Sequence, residues 1–344
     1  MKTRIYQVSD LNQIDVQKDI KETLLSGKNI IFPTETVYGI GAYALSEKGI
    51  KGIYEVKGRP SDNPLIMHIS HQTDVYKYTK NHQPYVKNLM DKFWPGPLTM
   101  VFEKQNHVPY MITGGLETVG IRMPSHDIAL KVIDIAGVPI CAPSANISGK
   151  PSSTLFDHVL EDFKDKVDIM IDGGKSKVGI ESTVLDVTHE IPVILRPGVI
   201  TKEMLEEIIP KVIGGSLTSE HEIPKAPGMK YRHYAPKGEL MIIDGEKDKV
   251  VTFINDIINS SKGDHKIGVI CTSDFKDLLK DVYIYSIGMP NQEEEIASNL
   301  FAALRDMDKN EIDIIYAIAF HEGKYKDALM NRLLKAANQN YMKL

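Results

Sequence analysis

Five short stretches hold the residues best suited to chemistry. They are Pro33-Thr-Glu-Thr-Val-Tyr-Gly-Ile-Gly, Lys57-Gly-Arg-Pro-Ser-Asp-Asn-Pro-Leu, Gly120-Ile-Arg-Met-Pro, Ala142-Pro-Ser-Ala-Asn-Ile-Ser-Gly-Lys-Pro and Arg196-Pro-Gly. Each follows or adjoins a short apolar run that reads as a strand, and strand ends are where α/β folds bind ligands. Four stretches are cationic through Lys57 with Arg59, Arg122, Lys150 and Arg196. Arginine grips phosphate or carboxylate with two parallel hydrogen bonds, and lysine acts as a point charge. One such arginine is ordinary surface; four cationic clusters in one domain point to an anion site.

Other chemistries are poorly served. No Gly-x-x-x-x-Gly-Lys-Ser/Thr phosphate loop occurs. No Gly-x-Ser-x-Gly elbow occurs either, and Ser144 and Ser182 have no obvious histidine partner in sequence. His68-Ile-Ser-His71 lacks carboxylate or cysteine partners at ligand spacing, so a zinc site is not indicated, and His68 by itself reads as a core histidine. What remains is an enzyme that aligns two substrates and neutralises phosphate charge.

The elements that must position these residues fall into two parts. In the C-terminal third, Leu240–Asp244, Lys266–Cys271, Val282–Ile287 and Ile312–Phe320 read as buried strands. Helical patterns alternate with them at Lys247–Ser260, Asp274–Lys280, Gln292–Met307 and Tyr325–Asn338. This alternation predicts a parallel, Rossmann-like sheet. No Gly-x-Gly-x-x-Gly follows any of these strands, which argues against a dinucleotide site and for a supporting role. Upstream, strands are predicted at Ile30–Phe32, Leu65–Ile69, Leu98–Glu103, Val119–Met123, Val138–Ala142, Val167–Ile171, Thr183–Val187 and Val193–Leu195, forming one large sheet. Helices are predicted at Val16–Ser26, Ser46–Val56, Tyr85–Trp94, Ile128–Ala136, Leu155–Phe163 and after Thr201. Between the two parts, 213–238 is rich in Gly and Pro and reads as a linker, so the division is 1–212, 213–238 and 239–344. Its second half interleaves Lys225, Lys230, Arg232 and Lys237 with Tyr231, His233 and Tyr234, as a segment folding over an anionic ligand would.

Composition bounds the rest. The 344 residues are 42% hydrophobic and 25% charged, the balance of an ordinary globular chain. The net charge of −5 arises entirely within 238–344, and 1–237 is neutral. Duplex nucleic acid normally calls for a positive excess, which neither part has. Two cysteines, Cys141 and Cys271, cannot build a disulfide scaffold or a cysteine zinc site. Met1–Asp10 has no signal-like apolar core, and no apolar run approaches the roughly 18 residues that span a bilayer. A cytoplasmic protein with no membrane partner is expected.

Taken together, Pro33–Gly41, Lys57–Leu65, Ser144–Gly149 and Arg196–Gly198, in this order and spacing, resemble the YrdC family. The linker and Rossmann-like part resemble its longer, two-domain branch, so the resemblance covers essentially the whole chain. Its one visible departure is Ile40, where many relatives carry Leu, a volume-conserving change. The resemblance implies an α/β fold: a twisted mixed-sheet YrdC-like domain with a concave cavity, plus the smaller parallel domain. It implies an L-threonylcarbamoyladenylate synthase that makes threonylcarbamoyl-AMP and pyrophosphate from L-threonine, bicarbonate and ATP with Mg²⁺. A separate tRNA threonylcarbamoyl transferase complex would then use the product on tRNA adenosine beside the anticodon, and tRNA itself would not be required for this step. Motif by motif, the resemblance implies an L-threonine pocket of Thr36, His68, Arg122, the backbone at Ala142, and Ser182. It implies ATP contacts from Arg59, Asn63, Thr118, Ser144, Ser152, Arg196 and Tyr234, with Lys57 and Arg59 catalytic by the phosphates and no protein ligand for a metal. The linker bearing Tyr234 would reach back over the site as a lid. Two other classes compete: an RNA-binding module, disfavoured by the neutral first part, and a carbamoyl-adenylate enzyme of the hydrogenase-maturation type. The latter usually carries zinc-finger and acylphosphatase-like parts, which two cysteines cannot supply.

Overall fold

Short runs of Ile, Val and Met build the scaffold, and central ones such as Ile30–Phe32 and Ile66–His68 are buried at every position. The computed structural model describes residues 2–214, 233–261 and 265–344. They form two compact units, one of 2–148, 153–177 and 181–214, the other of 149–152, 178–180, 233–261 and 265–344. Of the linker read at 213–238, residues 215–232, and with them most of the basic and aromatic stretch, lie outside the described residues.

The first unit is a mixed sheet. Its strands are β1 (Arg4–Gln7), β2 (Ile30–Phe32), β3 (Gly39–Tyr43), β4 (Ile66–His68), β5 (Thr79–Lys80), β6 (Leu98–Lys104), β7 (Thr118–Arg122), β8 (Ile140–Cys141), β9 (Ile169–Asp172), β10 (Thr183–Asp186) and β11 (Val193–Arg196). The order is β1-β9-β2-β3-β8-β4-β7-β6-β10-β11, with β5 on β6. Side chains alternate between two cores, as the two-residue strand period requires. Ile31 and Met170 face one core with Ile50, Ile53, Leu89 and Phe163 from helices. Ile30, Phe32, Ile169 and Ile171 face the other, with Ile20, Leu24 and Val132.

Local signals fix the site-bearing ends. Ser46 caps the helix Glu47–Lys57 by accepting from the Gly49 amide (3.2 Å), and Gly58, at φ 61°, stops it. Lys57 therefore ends a helix and Arg59 begins a loop. The strand β3 was not predicted, because its Gly-Ile-Gly-Ala-Tyr sequence reads as a turn. Gly41 is needed there for closeness: a Cβ would lie 2.6 Å from Ile140 Cγ2 and 2.7 Å from the Phe32 ring.

The second unit is a parallel sheet of β12 (Glu239–Asp244), β13 (Ile267–Cys271), β14 (Tyr283–Ser286), β15 (Ile314–Ile318) and β16 (Tyr341–Lys343), ordered β14-β13-β15-β12-β16. Helices Lys247–Ser260, Glu293–Lys309 and Lys326–Ala336 connect them. Two expectations need correction. The helix expected at Asp274–Lys280 is a 3₁₀ turn at Ser273–Phe275 followed by further turns. The Asp274 carboxylate there accepts from Thr272 Oγ1 and Lys247 Nζ, both at 2.6 Å, while Phe275 and Leu279 anchor the segment in the core. The edge strand β16 was missed because Tyr-Met-Lys carries no apolar run. Cys141 and Cys271 are free and buried, and burial pushes both thiols up to about 12. No helix among the described residues is long and apolar enough to cross a membrane.

Candidate active site

Arg122 and His68 close neighbouring parallel strands: they pair at the last positions of β7 and β4. The turn between β2 and β3 supplies Thr34-Glu-Thr. Arg122 is 3% exposed and makes three contacts in two segments. Its Nη1 donates to Thr36 Oγ1 (2.9 Å), its Nε to the Gly96 carbonyl (3.3 Å), and its Nη2 lies 2.6 Å from Glu35 Oε1. The hydroxyl directions follow from counting protons. Thr34 Oγ1 gives its only proton to the Val37 carbonyl (2.6 Å), so across the 2.9 Å contact with Thr36 it must accept. Thr36 thus accepts from Arg122 and donates to Thr34.

Burial would push the Glu35 carboxyl up, but the charge and close approach of Arg122, with help from the Ser125 amide, outweigh it and hold the group below the usual carboxylate value. His68 is driven the other way, down to about 3, first by burial and then by Arg122. Its Nδ1 faces the Ile66 carbonyl at 3.1 Å, so the neutral ring carries its proton there and presents Nε2 as an acceptor. The Ala142 amide donates to the same Ile66 carbonyl (2.9 Å). The core-histidine reading and the pocket reading of His68 are therefore compatible: the ring is buried and also lies next to Arg122.

A second cationic centre forms at Arg196, the last residue of β11. Its Nε and Nη2 donate to the Ser182 carbonyl (3.1 and 3.0 Å), and Nη2 also reaches Ser182 Oγ (3.2 Å), which contacts Thr99 Oγ1 (2.8 Å). The segment before β6 joins the two centres. Gly96 accepts from Arg122, and the Pro97 carbonyl accepts from the Thr183 amide at 3.0 Å.

The third centre is Lys57, 2% exposed, whose Nζ donates to the carbonyls of Ser144 and Asn146, both at 2.5 Å. The Ser144 hydroxyl donates to Asn146 Oδ1 (2.6 Å), and Gly39 bridges to Ser144, which ties this loop to β3. Arg59 curls back on its own loop, donating to the carbonyls of Asn63 (3.4 Å) and Pro64 (3.0 Å). Asn63 is buried, and its Oδ1 has no hydrogen-bond partner among the described residues. Thr118 opens β7 opposite Glu103, on the same face as Arg122 but about 13 Å away by strand rise. Ser152 and Tyr234 belong to the second unit. Ser152 is fully buried, while Tyr234, buried with φ 65°, places its ring 5.0 Å from that of Phe301. Within the first unit the structure thus gathers Thr36, His68, Ala142 and Arg122, links them through Gly96–Pro97 to Ser182 and Arg196, and ties Lys57 to Ser144. These cations are not solvated surface charges. Lys57, Arg122 and Arg196 are each buried against backbone carbonyls at the end of a strand or helix, an arrangement suited to anionic substrates.

A family model described as "Telomere recombination" (Sua5_yciO_yrdC) matches residues 22–198. The chain belongs to the Sua5–YciO–YrdC family. A second model, "Threonylcarbamoyl-AMP synthase, C-terminal domain", matches residues 200–338 of this family member. A Pyrococcus abyssi protein named threonylcarbamoyl-AMP synthase is 47% identical over 325 residues, covering 92% of this chain and 93% of that one. A Bacillus subtilis protein of the same name is 42% identical, with 98% of each chain covered. The crystal structure of P. abyssi Sua5 complexed with L-threonine superposes with a TM-score of 0.92 at 43% identity, covering 99% of this chain and 100% of that one.

Reading of the sequence as a Sua5–YciO–YrdC member left three residues of the site without a role: Glu35, Gly96 and Thr99. A carboxylate between two threonines, directly after an apolar strand, was the signal for Glu35. Gly96 and Thr99 act through a carbonyl and a hydroxyl contact that only the pairing of β6 with β7 and β10 creates.

Proposed function

We infer that the chain is a threonylcarbamoyl-AMP synthase, an enzyme that adenylates threonylcarbamate with ATP by nucleotidyl transfer. The observation that carries this reading is the buried Arg122 guanidinium, bonded to Thr36 at the carboxyl end of β7, in a chain that matches synthases of that name end to end.

In our proposal L-threonine lies with its carboxylate on Arg122, its polar groups toward Thr36, His68 Nε2 and Ser182, and its backbone-facing edge at Ala142. Arg59, Asn63, Thr118, Ser144, Ser152, Arg196 and Tyr234 contact ATP, and Lys57 and Arg59 are the catalytic cations. Among the described residues no three His, Cys, Asp or Glu side chains gather as a metal site. In this reading Mg²⁺ would come with ATP and would neutralise phosphate charge. The threonine amine attacks carbon derived from bicarbonate, the carbamate oxygen attacks the α-phosphorus, and pyrophosphate leaves. Most of that barrier falls to alignment and charge neutralisation. A downstream transferase complex consumes the adenylate in modifying tRNA, and no tRNA is needed for the adenylation itself. This work belongs in the cytoplasm.

The test is pyrophosphate release from ATP with L-threonine or bicarbonate omitted in turn. Release should need both. Release that ignores L-threonine overturns the reading.

A further inference from the structure

Glu35 has no task in the scheme above, yet it is the buried carboxylate nearest to the proposed carboxylate-binding arginine. It is 6% exposed and 2.6 Å from Arg122 Nη2. Arg122 and the Ser125 amide approach its oxygens, neither in a fully aligned hydrogen bond among the described residues, so the carboxylate keeps acceptor capacity for a further donor. Arg122 lies against Oε1 and is otherwise held by Thr36 and Gly96.

We propose that Glu35 is a further catalytic residue, the base that takes a proton from the substrate ammonium once the substrate carboxylate has engaged Arg122. This rests on the synthase reading. An α-amino acid carries its nitrogen two bonds from its carboxylate carbon. A carboxylate docked on Arg122 therefore brings an N–H donor next to Glu35 Oε2. Docking also changes the base. With Arg122 free, its charge keeps Glu35 ionised. A second carboxylate on the same guanidinium divides that charge and adds repulsion, so burial then favours the protonated form. The site thus becomes basic only when occupied.

The step balances. The ammonium gives one proton to Glu35. The freed nitrogen lone pair forms the N–C bond to bicarbonate carbon, the bicarbonate C–OH bond breaks, and the hydroxide departs as water with the second amine proton. The carbamate remains, and Glu35 keeps one proton until it is returned to solvent as the products leave. The groups facing Glu35 are Arg122 from β7, His68 from β4, and His126 with the Ser125 amide ahead of the helix Asp127–Ala136. His68, at about 3, is neutral throughout the assay range, and His126 is lowered by burial. Neither is placed to replace Glu35 as the group that titrates.

The experiment compares the full-length protein with E35Q and E35D in threonine-dependent pyrophosphate release from pH 6.5 to 9. E35Q should keep its KM for L-threonine within a few-fold and lose about 10²–10⁴-fold in kcat at pH 7. Its kcat should climb about tenfold per pH unit near neutrality, as solvent rather than Glu35 deprotonates the amine. E35D, one carbon shorter, should recover much of the rate and the flatter profile. A merely structural ion pair would lower stability in both variants without steepening the profile. Unchanged kcat in E35Q, or an unchanged pH slope, overturns the assignment while leaving the synthase reading intact. Absence of threonine-dependent release from the unsubstituted protein removes both. Should E35Q fail to fold, an E35D profile as steep as amine titration would overturn the proposal, and a flat one would support it.

Discussion

Replacing Arg122 with methionine removes the counter-ion of Glu35 and leaves a carboxylate in the interior. The side chains are 4% and 8% exposed and 2.6 Å apart, so water cannot take over the role of the guanidinium without opening the site. Breaking a buried pair by removing one partner costs about 3–5 kcal/mol, far above the 0–1 kcal/mol of a surface pair. In a unit of this size that lowers Tm by about 6–20 °C. The loss should depend on pH in a defined direction. In the unsubstituted protein Glu35 is held below its ordinary value, so its contribution is present above that value and fades as pH falls through the lowered one. Without Arg122, burial dominates and raises the carboxyl. The native state then binds its proton more tightly than the unfolded chain, and the penalty is relieved as pH falls. The gap between the two proteins should therefore narrow from pH 8 to pH 5. Trp94 is the only tryptophan of the chain and is buried in the first unit, with its indole N–H on the Leu98 carbonyl at 2.7 Å. Urea unfolding followed by its emission thus reports on this unit. The double variant R122M/E35Q should recover much of the loss, because no charge is left stranded. A loss under about 1 kcal/mol, equal at pH 5 and pH 8, would refute the reasoning.

Further outcomes follow from single contacts. Lys57→Met should lower pyrophosphate release by about 10²–10³-fold, or 2.7–4 kcal/mol, if Lys57 meets developing phosphate charge; a loss below fivefold with intact Trp94 emission would remove it from that role. Gly41→Ala should destabilise the first unit by about 1–3 kcal/mol, because its Cβ would meet Ile140 and Phe32 inside contact distance, and a neutral result in urea would show that β3 can shift. The His68 ring proton resonances should not titrate between pH 5 and 8, since burial and Arg122 place the group near 3; a midpoint near 6.5 would show the ring to be solvated. Tyr234→Ala should impair turnover while Trp94 emission stays native, and unchanged turnover would remove Tyr234 from the ATP-contact set.

Strand runs such as Ile30–Phe32, Leu98–Lys104 and Ile267–Cys271 were legible because several consecutive buried positions leave few other readings. The strands β1, β3, β5 and β16 were not, since a glycine-rich strand and short edge segments owe their form to neighbours rather than to their own apolar content. The helix expected at Asp274–Lys280 failed for a related reason: Lys247 and Thr272 occupy Asp274, and the local period could not show this competition.

The five polar clusters, the four cationic stretches among them and the absence of phosphate-loop, elbow and zinc motifs were properties of residue type and spacing, and these alone marked an anion-handling α/β protein of two parts. Which cation faces which partner was decided by strand order. Glu35 and Arg122 are 87 residues apart in the chain, and only the insertion of β8 between β3 and β4, with β7 beyond, brings a guanidinium to the Thr-Glu-Thr turn. Periodicity records how deeply a residue is buried. It does not record its neighbour across the sheet, and that neighbour holds Glu35 ionised and adds to the burial that keeps His68 neutral.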